Sequence, residues 1–96
     1  MIASTLLSIT AAATIVIGSK MDVEGQVLGE LFAQTIEATG EATVERRFAL
    51  GGTAIVFAAL DSGAIDLFPE YSGTLAHVVL KDPTVTDFNE LKRRTE

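Results

Sequence analysis

Cysteine is absent from the 96 residues, and histidine occurs once, at His77. A disulfide framework, a thiolate-ligated zinc site and an iron–sulfur cluster are therefore ruled out within them, as is a multi-histidine metal centre. Positive charge is scarce. Seven Lys and Arg stand against 13 Asp and Glu, for a net charge of −6 and a pI of about 4.6. That is the wrong sign for wrapping a phosphate backbone, so nucleic acid is not an expected partner. At 10.1 kDa the residues leave room for one domain, which excludes a two-domain enzyme within them. What the sequence has is apolar content, 48% with a mean hydropathy of +0.38, which argues for folding or association rather than disorder.

Residues 1–13, MIASTLLSITAAA, form an apolar stretch ending in small residues. It has the look of a signal-peptide hydrophobic region with a cleavage site at Ala11-Ala12-Ala13. No Lys or Arg precedes the run, and it is shorter than the roughly 20 apolar residues of a bilayer span. The expectation is a signal remnant or an apolar arm that packs on the domain or on a neighbouring chain.

From residue 14 onward, short β-branched runs alternate with helical ones, the arrangement of right-handed βαβ units around a parallel sheet. Residues 14–18 (TIVIG) read as a buried strand. Residues 23–39 read as an amphipathic helix with Val27, Leu28, Leu31, Phe32 and Ile36 on its apolar face and Gly40 as its C-cap. Residues 43–49 read as a second strand, at a sheet edge because Glu45, Arg46 and Arg47 interrupt it. Gly51-Gly52-Thr53 opens a second helix over 54–61, apolar nearly all round and expected to be covered on most sides. A third strand over 64–68 stops at Pro69, a third helix spans 72–80, and a polar helix starts from an N-cap at Thr86 and runs to residue 94. The fold class is α/β, a parallel βαβαβ three-layer unit amounting to half of a doubly wound sheet.

Ligands of such sheets bind outside the carboxyl ends of the strands. Three loops fall there: residues 19–23, 50–53 and 69–74. Gly18-Ser19-Lys20 is neither a dinucleotide fingerprint nor a Walker loop, because Met21 follows the lysine. No Gly-x-Ser-x-Gly is present, His77 has no evident orienting carboxylate, and Asp66 and Glu70 read as solvated or structural carboxylates. No catalytic machinery, metal site or cofactor is expected. Binding is better supported: Gly52 and Thr53 place N–H groups and a hydroxyl at a helix N-terminus, suited to a carboxylate. Tyr71, the single tyrosine, offers a ring face to a cation, worth about 0.5 to 2 kcal/mol.

In order and spacing, Ile17-Gly18-Ser19-Lys20, Glu24, Leu28-Gly29-Glu30, Leu50-Gly51-Gly52-Thr53, Ala59-Leu60, Ser62-Gly63 and residues 65–74 (IDLFPEYSGT) resemble the substrate-binding proteins of osmoprotectant ABC transporters, which capture glycine betaine, choline, carnitine or related amines. The resemblance covers about residues 14–80. It implies a two-lobed type II periplasmic-binding fold of which residues 14–96 are the first part of lobe one, truncated before lobe two and the hinge. It also implies a membrane permease as partner, a periplasmic or other extracytoplasmic location, and an aromatic cage for the trimethylammonium group. Tyr71 would be one cage wall, with Ser19, Lys20, Met21, Asp22, Gly52, Thr53 and Thr74 near the cleft. Where many relatives continue with Asn-Phe-Thr-Glu-Gln, this chain has Met21-Asp22-Val23-Glu24-Gly25. A single lobe implies weak affinity and unpaired edges that favour homo-oligomers; the alternative reading is a self-associating structural module without ligand.

Overall fold

The computed structural model describes residues 13–96; the apolar arm expected over 1–13 lies, but for Ala13, outside the described residues. Strand β1 (Ala13–Gly18) pairs in parallel with β2 (Ala42–Arg47), with Ile15 opposite Val44 and Ile17 opposite Arg46. Helix α1 (Val23–Thr39) connects them. Its ends follow from local chemistry. The Asp22 carboxylate accepts from Gly25 N at 2.8 Å as N-cap, and Gly40, at φ 70°, returns its N–H to the Glu37 carbonyl.

The side of α1 that meets the sheet differs from the expected one. Gly25, Gly29 and Ala33, one turn apart, are buried, whereas Val27 and Leu31 are exposed at 61% and 58%. Close approach decides it at Gly29: a Cβ there would sit 2.8 Å from the ring of Phe48, the residue after β2, so a larger side chain fits only if that ring moves. Arg46 fastens the same contact from β2, reaching Glu30 at 2.8 Å and Glu37 at 2.7 Å.

The third strand is shorter than the expected 64–68. A single parallel bridge, Ile17 to Leu67, sets it beside β1 on the side away from β2, so β1 is central. Gly18 N donates to the Leu67 carbonyl (2.9 Å) and Asp66 N to the Val16 carbonyl (2.8 Å), but Val16 N turns to the Asp66 side chain (2.7 Å). That carboxylate takes the place of a backbone acceptor, and Pro69 has no donor at the other end, so the ladder does not extend.

Helix α2 (Thr53–Asp61) buries Val56 but leaves Ile55 60% exposed, so it is covered on fewer sides than its composition implied. The third helix is a turn, α3 (Ser72–Thr74), that widens into a π-helical segment, Leu75–Val79. Helix α4 (Phe88–Thr95) starts one residue later than expected. Its N-cap is Asp87, whose carboxylate accepts from Asn89 N, rather than Thr86. Ile17, Ala33, Val56 and Ile65 form the core at the sheet, and Ala76 and Leu91 are buried in the C-terminal helices. Among the described residues no helix is long and apolar enough to cross a membrane.

Candidate functional site

All three loops at the carboxyl ends of the strands meet. The first two are laced by main chain: Met21 N donates to the Gly51 carbonyl (2.9 Å), Leu50 N to the Ser19 carbonyl (3.0 Å), and Ser19 N to the Arg47 carbonyl (3.3 Å). Ser19 is fully buried, and its hydroxyl donates to the Lys20 carbonyl (3.0 Å) while accepting from Ala49 N (2.9 Å). Ala49 lies in the left-handed region at φ 58°, a costly conformation for alanine that the Ser19 contact helps to hold.

Glu70 joins the third loop to the other two. Its side chain is 5% exposed and accepts from Lys20 Nζ at 3.1 Å, from Thr53 Oγ1 at 3.1 Å and from Tyr71 N at 3.0 Å. Of the two readings the sequence allows for this carboxylate, solvated or structural, the second holds, and the cluster converges on it. A signal was present: Lys20 falls in the loop after β1, and a half-buried cation at one strand end calls for an anion from a neighbouring strand end.

Of the eight residues singled out, Lys20, Thr53 and Tyr71 are brought together by Glu70. Asp22 lies beside them as the cap of α1, and the Met21 side chain stands 67% exposed at the rim. Gly52 caps α2 without a side-chain bond, and the Thr53 hydroxyl turns to Glu70. Thr74 is half-buried in α3 and, among the described residues, makes no hydrogen bond to the Glu70 cluster. His77 is exposed in the π-helical segment, lining a depression of about 250 Å³ with Phe88 and Leu91 that includes none of the eight.

Tyr71 is 51% exposed, and its hydroxyl donates to Glu24 on the first turn of α1. That bond, followed by partial burial and the negative charges of Glu24, Asp22 and Glu70, pushes the phenol above its ordinary value. An open aromatic face therefore sits in a locally negative field at the mouth of the cluster. Such a surface attracts an organic cation and repels an anion.

Comparison with known proteins identifies the family. The family described as the substrate-binding domain of ABC-type glycine betaine transport systems matches residues 13–94. The chain is 41% identical over 73 residues to the glycine betaine-binding protein YehZ of Escherichia coli, a match covering 76% of this chain and 24% of that protein. It is 34% identical over 85 residues to the ergothioneine transport permease/ergothioneine binding protein EgtU of Helicobacter pylori, covering 85% of this chain and 15% of that one. The solved structure of apo YehZ superposes with a TM-score of 0.72 at 32% identity, over 86% of this chain and 31% of that one. The chain thus spans about a quarter or less of the length of the curated relatives it matches. With the family match running nearly end to end and the fold shared with a solved member, the chain belongs to the substrate-binding domains of ABC-type glycine betaine transport systems.

Proposed function

We propose that residues 14–96 form part of the first lobe of an extracytoplasmic receptor that binds small quaternary-ammonium solutes, such as glycine betaine or choline, for uptake through an ABC permease. The observation that carries the reading is the half-exposed Tyr71 ring set among Asp22, Glu24 and Glu70 where three strand-end loops converge. The trimethylammonium group faces that ring. In this reading a carboxylate or hydroxyl goes to Lys20, whose ammonium keeps donors beyond the one given to Glu70, and to the helix end at Gly52 and Thr53 once the Thr53 hydroxyl leaves Glu70, with Thr74, Met21 and Asp22 assigned to the rim and buried Ser19 supporting the loops. Glycine betaine and ergothioneine, the solutes in the relatives' names, both carry a trimethylammonium group one carbon from a carboxylate, which supports this ligand class over a neutral one. Binding and release of an intact solute needs no chemical step, so no reaction is assigned.

One wall leaves most of the ligand in water, so this chain alone is expected to bind in the millimolar range or weaker. An amide NMR titration with glycine betaine and then choline tests the reading, with Tyr71→Ala as control. Saturable shifts confined to residues 19–23, 51–53 and 69–74, lost in the variant, support it. A well-dispersed spectrum with no localised shifts refutes it for this chain.

A second reading has its own observation: Val23, Val27 and Leu31 present an exposed apolar ridge along α1, at 77%, 61% and 58%. Burying such a ridge favours self-association. Sedimentation velocity across a concentration series decides, since a monomer throughout removes this alternative.

A further inference from the structure

Glu24 belongs to the motif that runs from the first strand into α1, and the binding face above uses it only as one of three negative charges around Tyr71. Its carboxylate accepts the hydroxyl of a residue 47 positions away, Tyr71. The main chain of Tyr71 is fixed separately, its N–H by Glu70 at 3.0 Å and its carbonyl by Leu75 N at 3.0 Å. The ring itself is half exposed, so packing alone does not confine it. A phenol in that position samples several staggered rotamers unless something holds its far end.

We propose that Glu24 is the positioning residue of the amine site, holding the Tyr71 ring across the mouth of the loop cluster and adding a full negative charge at its hydroxyl edge. The proposal rests on the amine-binding reading above. Two physical effects follow from the one contact. The ring face is already oriented when the cation arrives, so less ordering accompanies binding. The charge adds to the attraction of the ring for a cation, and a phenol donating to an anion makes a stronger hydrogen bond than one donating to a neutral group. The charged groups that face the phenol are Glu24 on α1, Asp22 on the loop before it and Glu70 on the third loop. Lys20 is paired with Glu70, which offsets one negative charge and leaves Glu24 as the anion in direct contact with the ring hydroxyl.

The chain has one tyrosine and no tryptophan, so phenolate absorbance reads this ring alone. The test records that absorbance from about pH 8 to 12 for the chain and for Glu24→Gln, which keeps an acceptor oxygen and removes the charge. Both proteins, together with Tyr71→Phe and the double variant, are then titrated with choline and glycine betaine by amide NMR. Glu24→Gln is expected to lower the phenol midpoint toward the free value of about 10 and to weaken choline binding by about threefold to tenfold. In the Tyr71→Phe background the same substitution is expected to change affinity clearly less, because the positioning contact is already gone and only the charge remains to be lost. An unchanged phenol midpoint overturns the proposal. So does an equal loss of affinity in the Tyr71→Phe background, which would make Glu24 a charge acting at a distance. A midpoint that moves in a chain that binds no amine overturns the amine-binding reading while leaving the Glu24–Tyr71 coupling established.

Discussion

Replacing Glu70 is the sharpest test of how the three loops are held. In Glu70→Ala, Lys20 Nζ, Thr53 Oγ1 and Tyr71 N each lose an acceptor at 3.0 to 3.1 Å. A hydrogen bond to a charged group contributes about 1.5 to 3 kcal/mol, and breaking a fully buried ion pair costs about 3 to 5. Lys20 is 22% exposed, so water recovers part of its loss, and Tyr71 N–H lies next to solvent. A net loss of about 3 kcal/mol follows, against a total stability of roughly 5 to 14 for a chain of this length. With a urea dependence of about 1 kcal/mol per molar, the unfolding midpoint should fall by about 3 M. Glu70→Gln retains an acceptor oxygen but not the charge, and should lose about half as much. Urea unfolding followed by circular dichroism measures both. A shift below about 0.5 M in Glu70→Ala, or equal shifts in the two variants, would refute the reasoning.

The contact between α1 and the sheet gives a pair of opposed expectations. Gly29→Ala gains about 1 kcal/mol of helix propensity but drives a methyl to 2.8 Å from Phe48, and overpacking at about 1 to 3 kcal/mol should leave it net destabilised. Gly73→Ala meets nothing within 4 Å and should stabilise by about 0.5 kcal/mol; thermal melts that rank the two the other way defeat the close-approach argument. Arg46 and then Gln34 hold the Glu30 carboxyl at about 2, against 4.5 ordinarily, and Arg46 lowers Glu37 as well. Both acids are depressed in the folded state, so their stabilisation is present above pH 4.5 and is lost as pH falls from there toward 2. Arg46→Met should flatten that acid-side decline, and urea midpoints that fall equally in both proteins between pH 4.5 and 2 would count against it.

Much of the fold was legible because its signals are local. The apolar run of α1 and Gly40 gave both ends of the helix, and the β-branched TIVIG gave β1. The outward turn of Val27 and Leu31 was not legible. Pattern reading sends the largest apolar side chains inward, whereas a helix lying close to a strand favours glycine and alanine there. The third strand was over-read because Asp66 sits in an apolar run, and only the structure shows its carboxylate bonded to Val16 N. For the site, strand order alone located the three loops. What it left open was whether Glu70 is solvated or structural, which only its partners from residues 20 and 53 decide.

Ser19 shows no face to solvent, yet it governs what the cleft can do. By joining the chain after β1 to the chain after β2 through both its hydroxyl and its main chain, it makes the two loops one rigid plate. Loops joined in this way move together, so under the proposed reading this side does not wrap around a solute. If the amine-binding reading holds, selectivity among solutes is then set by whatever packs against this plate rather than by rearrangement within it.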